Sequence, residues 1–298
     1  MNFTLVRSEK ANHSVSMLCE VLDLAPSGYY AWLKRAPLKG PRVAARAVLR
    51  EEVRQAFYRS KGRYGSPRVT RALRSAGVRV SARNVEEIMR EDGLCARKRR
   101  PFKATTDSKH RIPTAPNLLD RQFTTTGPNV AWVGDVTAIL TMEGWLFLAV
   151  LIDLYSRRRR VGRWSTSEHN DTNLALAALH NARRSRRPGH GLLHHTDRAG
   201  SGRPYASDAY QKALTAIGAR ASMSRKGNCC VNAVAESFFS STKTELGVDK
   251  PLASFAQANS MASEYIDVFY NAVRLHSTNG YMSPIQFELT SITASLAA

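Results

Sequence analysis

The sequence predicts an α+β/α/β chain in two parts, an all-helical front followed by a mixed five-stranded sheet with flanking helices. Three observations carry this. Apolar residues recur at helical spacing through the first ninety or so residues, and from Val130 the spacing becomes that of strands. The charge is uneven: residues 1–128 hold 26 basic and 11 acidic side chains, whereas 129–298 hold 18 and 13. A net charge of +20 and a pI near 10.3 point to a polyanionic partner, most directly nucleic acid. At 298 residues and 43% hydrophobic, the chain can bury a real core, which excludes wholesale disorder.

The front elements follow in order. "SVSMLCEVLDLAPSGYYAWLKR" (14–35) reads as helix, turn and helix, with Val15, Leu18, Cys19 and Leu22 on one stripe. "SPRVTRALRSAG" (66–77) and "VSARNVEEIMREDGL" (80–94) form a second pair sharing Val69, Leu73, Val85, Ile88 and Met89. Ser66 is the expected N-cap of the first helix with Pro67 at its first position, and Ser81 the expected cap of the second. Arg68, Arg71, Arg74, Arg79, Arg83 and Arg90 are left outward. Such a helix-turn-helix can lay its second helix in a major groove of double-stranded DNA, with Arg83 and Asn84 near base edges. "RKRRPFK" (97–103) opens a basic tract poor in apolar periodicity. Residues 101–127 are therefore predicted as a flexible linker between a helical DNA-binding region (1–100) and the domain that follows.

"VAWVGDVTAIL", "WLFLAVLIDLYS" and "RRRRVGRWS" predict three strands joined as a meander. "DTNLALAALHNARRS" (171–185) is helical, "GLLHHTD" (191–197) a strand, "YASDAYQKALTAIG" (205–218) a helix and "ARASMS" (219–224) a fifth strand. "NAVAESFFSSTKTEL" (232–246) then forms a helix with Ala235, Phe238, Phe239, Thr242 and Leu246 on one stripe. The order β-β-β-α-β-α-β-α is that of a ribonuclease-H-like fold over 128–248. A C-terminal helical extension follows over 249–298, in which Met261, Tyr265 and Phe269 recur on one helix face.

Three carboxylates stand out. Asp is disfavoured inside strands, yet Asp135 shares a strand face with Val133 and Thr137. Asp197 ends the fourth strand, and Glu236 sits beside the apolar stripe of the last core helix. There desolvation penalises its charge and the helix dipole favours it. Together on this strand order they describe a hard-cation site. Oxygen ligands suit Mg²⁺ or Mn²⁺, and two ions roughly 3.5–4 Å apart would clamp attacking and leaving oxygens. Asp153 closes a strand and reads as a structural carboxylate, and His194 and His195 as local packing. Arg225, Lys226 and Lys243 are candidate phosphate contacts, a solvated basic surface being the alternative.

The cysteines (Cys19, Cys95, Cys229 and Cys230) form no Cys-x-x-Cys pair, and with His13 and His110 they lack zinc-module spacing. The N-terminus has no continuous apolar run of signal-peptide type, and "WLFLAVLI" (145–152) is too short to span a bilayer. A reducing, cytoplasmic setting without a membrane is expected.

"GDVT", "HHTDRAGSG" and "SMSRKGNCCVNAVAESFFSSTKTEL" resemble the integrase-core DDE transposases of bacterial insertion sequences. More narrowly they resemble the second-frame transposase (OrfB) of the insertion-sequence-three family. "SGYYAWLKR", "YGSPRVTRAL" and "YNAVRLHSTNGYMSPIQFE" resemble that family's front, middle and tail. The resemblance implies an Mg²⁺-dependent polynucleotidyl transferase with Asp135, Asp197 and Glu236 as its triad. It would cut and join DNA at the element's terminal inverted repeats, as a dimer or larger assembly at the nucleoid, alone or with an upstream-frame (OrfA) partner. Two departures bear on this. "DRAGSGRPY" is three residues longer than the family's pattern; removing those three from the 38 residues between Asp197 and Glu236 leaves the family's spacing of about 35. In "GNCCVNA", Cys230 and Val231 stand where the family has an aromatic and an Asp. That removes a helix cap worth roughly 0.5–2 kcal/mol and leaves Asn232 to serve. A catalytically impaired DNA-binding relic and a structure-selective nuclease remain the alternatives.

Overall fold

The computed structural model describes residues 2–97, 115–120, 122–157, 164–197, 204–224 and 233–296. They form two compact units, Met1–Ala96 and Arg97–Ala298.

The first unit is helical: α1 (Asn2–Glu9), α2 (Val15–Val21), α3 (Pro26–Arg59), α4 (Ser66–Ser75) and α5 (Ala82–Glu91). Val6, Cys19 and Tyr29 form a small core packed by Phe3, Leu18, Leu22 and Leu33, so the first predicted helix pair is present. Its second helix does not stop near Arg35. α3 runs for 34 residues, and its far half is held by α5: Arg46 reaches Glu91 at 2.6 Å, Arg50 also pairs with Glu91, and Arg54 meets Asp92 at 2.9 Å. These half-exposed pairs are individually weak, but Val53 and Phe57 are buried on the same stretch of α3.

In the α4–α5 hairpin, Val69, Leu73, Val85, Ile88 and Met89 are buried as expected. Ser81 caps α5, its hydroxyl accepting from the Asn84 amide at 3.2 Å. Ser66 does not cap α4. The helix begins one residue earlier, with extended Gly65 (ψ 175°) as the cap residue and no side-chain bond. Pro67 carries no N–H, so the first turn has one fewer donor to satisfy and tolerates a bare cap.

The second unit holds β1 (Ala131–Thr141), β2 (Gly144–Asp153), β3 (Trp164–Ser167), α6 (Thr172–Arg186), β4 (Leu193–Thr196), α7 (Asp208–Ala216), β5 (Arg220–Met223) and α8 (Ala233–Leu246). The five strands lie in the order β3-β2-β1-β4-β5. β1–β2 and β2–β3 are antiparallel, β1–β4 and β4–β5 parallel, which is the expected mixed ribonuclease-H-like sheet. One face carries Trp132, Val136, Ala149 and Leu151 against Leu174, Ala175, Ala178 and Leu179 of α6 and Tyr210 and Leu214 of α7. α8 packs against β1, and its buried residues are Ala235, Phe238, Phe239, Thr242 and Leu246, the stripe the sequence predicts.

Three further expectations are corrected. The last part of the predicted flexible linker is docked, because Leu119 is buried and the Leu118 and Leu119 amides donate to the Ser222 hydroxyl of β5 at 2.9 and 3.3 Å. The C-terminal segment is not one α-helix. α9 (Phe255–Ser263) passes into a π-helical stretch, Glu264–Tyr270, closed by the Asn271 amide on the Ile266 carbonyl at 3.3 Å. The wider turn moves the buried face, so Tyr265, Ile266, Phe269 and Tyr270 are inside while Met261 is only half-buried. Beyond it lies α10 (Pro284–Leu296).

Two buried polar networks fasten this extension to the core. Arg186 of α6 donates to Asp153 at 2.5 Å and to Glu288 of α10 at 2.6 and 2.8 Å, while the Ser156 hydroxyl donates to Glu288 at 2.6 Å. Arg274 grips Glu245 at the end of α8 at 2.7 and 2.9 Å, and the Tyr265 hydroxyl joins at 2.9 Å. Burial works against both guanidinium charges, yet the bonds to carboxylates hold both pKa values above the ordinary one. Among the described residues no helix is long and apolar enough to cross a membrane.

Candidate active site

The site starts in the middle of β1. Asp135 is 8% exposed and accepts the Val136 amide at 2.8 Å. The parallel ladder pairs Val133 with His195 and Gly134 with Thr196. That ladder ends one residue short of Asp135 on β1 and of Asp197 after β4, so the two carboxylates follow the last paired residues of adjacent strands. Asp197 accepts the Ser224 hydroxyl at 2.5 Å, and Ser224 is tied back through its amide to the Thr196 carbonyl at 3.1 Å. α8 lies on β1 and carries Glu236 in its first turn, half-buried between Ala235 and Phe239. Desolvation pushes the Glu236 pKa up, and the charge of Asp197 adds to it, so the two carboxylates feel each other.

Asp135 and Asp197 thus each follow the last paired residue of neighbouring parallel strands, and Glu236 is within electrostatic reach of Asp197. Among the described residues no three Asp, Glu, His or Cys side chains close into a single metal-holding group. The donor chemistry nevertheless fits a hard divalent cation: all three groups are carboxylates, and the charge of Glu236 is disfavoured by burial and by Asp197 as it stands. A cation would relieve that repulsion.

The surrounding side chains are structural. The Ser222 hydroxyl accepts two backbone amides, so its own proton points to His195 Nδ1 at 2.8 Å and leaves the proton of the neutral ring on Nε2. Burial lowers the pKa of His195 to about 4, against a raising effect from Asp197, and that of His194 to about 3. His194 points to the other face and meets the Tyr210 hydroxyl at 3.1 Å. Both are packing residues, as expected. Asp153 is likewise structural, fully buried and held by Arg186 and the Asn129 and Tyr155 amides.

Gly134 and Ser224 were not singled out by the sequence. A Cβ at Gly134 would meet His194 ring atoms at 3.1 Å and Leu151 at 3.3 Å, so the glycine beside Asp135 lets the ring pack on the strand. The "GD" dipeptide inside a predicted strand is the signal for it. Ser224 has no comparable local signal, since only the β4–β5 pairing brings it to Asp197.

The candidate DNA contacts divide between the two units. Arg71, Arg79, Arg83 and Asn84 are exposed on α4, the turn and α5, with Arg83 also bridging to Glu87 at 3.0 Å. Arg68 is half-buried, its guanidinium 5.8 Å from the Tyr64 ring centre. Lys243 lies on α8 two turns beyond Glu236, exposed but with its pKa lowered by desolvation. Arg225, Lys226, Cys230, Val231 and Asn232 lie outside the described residues, as does the three-residue insertion after Asp197.

The Integrase core domain family matches residues 125–229 and again 236–292, spanning all three carboxylates. The HTH-like domain family matches 44–102, covering α4, α5 and the second half of α3 but not the first helix pair. Transposase InsF for insertion sequence IS3A of Escherichia coli (strain K12) is 39% identical over 97% of this chain and 98% of its own length. An uncharacterized protein of insertion element IS600 of Shigella sonnei is 37% identical over 91% of this chain and 97% of its own. A simian T-cell lymphotropic virus intasome structure aligns over 78% of this chain and 73% of that chain, with 21% identity and a TM-score of 0.45. A relationship that runs from one end of InsF to the other, through both the helix-turn-helix and the core, admits one conclusion: the chain belongs to the IS3 family of insertion-sequence transposases.

Proposed function

We propose that Asp135, Asp197 and Glu236 are the catalytic carboxylates of a DDE-type polynucleotidyl transferase acting at the terminal inverted repeats of its own element. The observation that supports this reading is the parallel β1–β4 pairing up to Gly134–Thr196, immediately before Asp135 and Asp197, together with the packing on β1 of the helix that bears Glu236. The three would hold two Mg²⁺ or Mn²⁺ ions. When bound, such ions supply Lewis acidity at the phosphodiester and favour attack by water or a 3′-hydroxyl. The chain's own contribution is positional. Strand pairing fixes the two aspartates, Ser224 orients Asp197, and the Arg274–Glu245 grip holds the far end of α8. Lys243, on the same helix, neutralises a phosphate of the bound strand, and Arg225 and Lys226 are proposed to do the same.

In the front unit, Arg71, Arg79 and Arg68 are proposed to contact phosphates of duplex DNA, with Arg83 and Asn84 at base edges. Asn84→Ala is expected to cost about 1–3 kcal/mol of repeat binding and to relax the preference at one base position. Arg71→Ala is expected to weaken repeat and unrelated DNA alike and to reduce the salt slope by about one. Fluorescence anisotropy over a salt series separates the two. Processing two element ends together requires a dimer or larger assembly on DNA, and an upstream-frame (OrfA) partner joins it where the element encodes one.

The test is incubation of the purified chain with labelled terminal-repeat DNA and Mg²⁺. Cleavage and joining dependent on the repeat support the assignment. Binding without cleavage marks a relic, and cleavage indifferent to the ends marks a nuclease.

A further inference from the structure

We propose that the concavity between the C-terminal turns of α6 and α7 is a second docking surface for the phosphate backbone of duplex DNA, at the opposite end of β4 from the three carboxylates. It goes beyond the catalytic assignment and does not depend on it. The concavity, about 660 Å³, is walled by His180, Arg183, Arg184, Arg187 and His190, with Ile217 beside them; among the described residues no carboxylate lines it.

A cationic last turn complements the helix dipole, which is the simplest reason for arginines at this end of α6. The details go further. Arg186 in the same turn is drawn inward to Asp153 and Glu288, whereas Arg183, Arg184 and Arg187 stay exposed. None of these three has an acidic partner among the described residues. The backbone of the wall is pinned at two points. Arg187 is left-handed (φ 44°) and ends α6 through its amide on the Arg183 carbonyl at 2.9 Å. His190 is seated over bare Gly218, where a Cβ would come 2.3 Å from its ring, and the Gly191 amide ties to the Gly218 carbonyl at 2.8 Å.

From Arg183 to Arg187 the helix advances about 6 Å, the axial span of roughly two phosphates of one DNA strand. Three arginines and two imidazoles in one concavity suit the phosphate oxygens of a backbone, and the surface is expected to be indifferent to sequence. It lies about 15 Å along β4 from Asp197, so it is a contact separate from the one at the carboxylates.

The test uses the full chain carrying Asp135→Asn, so that binding is read apart from cleavage and stays informative whatever the carboxylates do. Arg183→Ala/Arg184→Ala/Arg187→Ala and the matching triple Lys variant are titrated with a terminal-repeat duplex and an unrelated duplex of equal length over a salt series. The Ala variant is expected to lower the log–log salt slope by about two to three on both duplexes, and the Lys variant to keep it. An unchanged slope in the Ala variant, an equal loss in the Lys variant, or a loss confined to repeat DNA would overturn the proposal.

Discussion

Asparagine at position 135 is expected to leave the protein folded and able to bind repeat DNA while lowering strand cleavage by more than about 100-fold. Loss of a side chain that merely orients a metal ligand already costs about 10–100-fold, and loss of the ligand itself costs more. The substitution is nearly isosteric. Its amide oxygen can still accept the Val136 amide that Asp135 accepts at 2.8 Å, so β1 keeps its ladder. Asp135 is buried, so removing its charge spares a desolvation cost and the thermal midpoint is expected to hold or rise. Glu236→Gln should behave alike for the same reason, its carboxyl being disfavoured by burial and by Asp197. A gel assay on labelled repeat DNA with Mg²⁺ reads both. Cleavage within tenfold of wild type in either variant would remove that carboxylate from the mechanism.

The second large effect is on stability. Arg186→Met is expected to cost about 3–5 kcal/mol, because it leaves two buried carboxylates facing each other without their cation. The three side chains are almost completely enclosed, at 8% exposure for Arg186, 0% for Asp153 and 4% for Glu288. Arg186 also donates to Asn129 at 2.9 Å, so the change loosens the entry to β1 and the seat of α10 together. Arg186→Lys should recover only part of the loss, since one ammonium cannot span both carboxylates as the guanidinium fork does. The denaturant midpoint of the full chain, with hydrogen exchange in α10, measures this. A loss below about 1 kcal/mol would show that the network is solvated in solution.

The strands, and the elements that carry the candidate carboxylates, are legible because they rest on local period. Alternation around "VAWVGDVTAIL" marks β1, and an aspartate within it is conspicuous. The α8 stripe of Ala235, Phe238, Phe239, Thr242 and Leu246 is a helical pattern that the packing then honours. What escaped is set by distant partners. α3 continues past Arg35 on a surface that α5 supplies. The linker pair Leu118–Leu119 is too short to show a period, and its place appears only where Ser222 accepts both amides. The π-helical stretch at Glu264–Tyr270 changes the very period from which a buried face is inferred, so a constant helical period puts Met261 inside where the structure leaves it half-buried. Arg186 and Glu288 are 102 residues apart, and no window along the chain relates them. Ser66 failed for a local reason, because a serine before a proline satisfies the capping pattern while Gly65 makes the turn.

The central claim is that three carboxylates distant in sequence share divalent ions. Anomalous diffraction from crystals of the chain grown with terminal-repeat DNA and Mn²⁺ tests it most directly. Manganese peaks bounded by the carboxylate oxygens of Asp135, Asp197 and Glu236 are expected, and they should vanish in the Asp135→Asn protein. Manganese bound elsewhere, or Glu236 turned away from an ion held by the two aspartates alone, would contradict it.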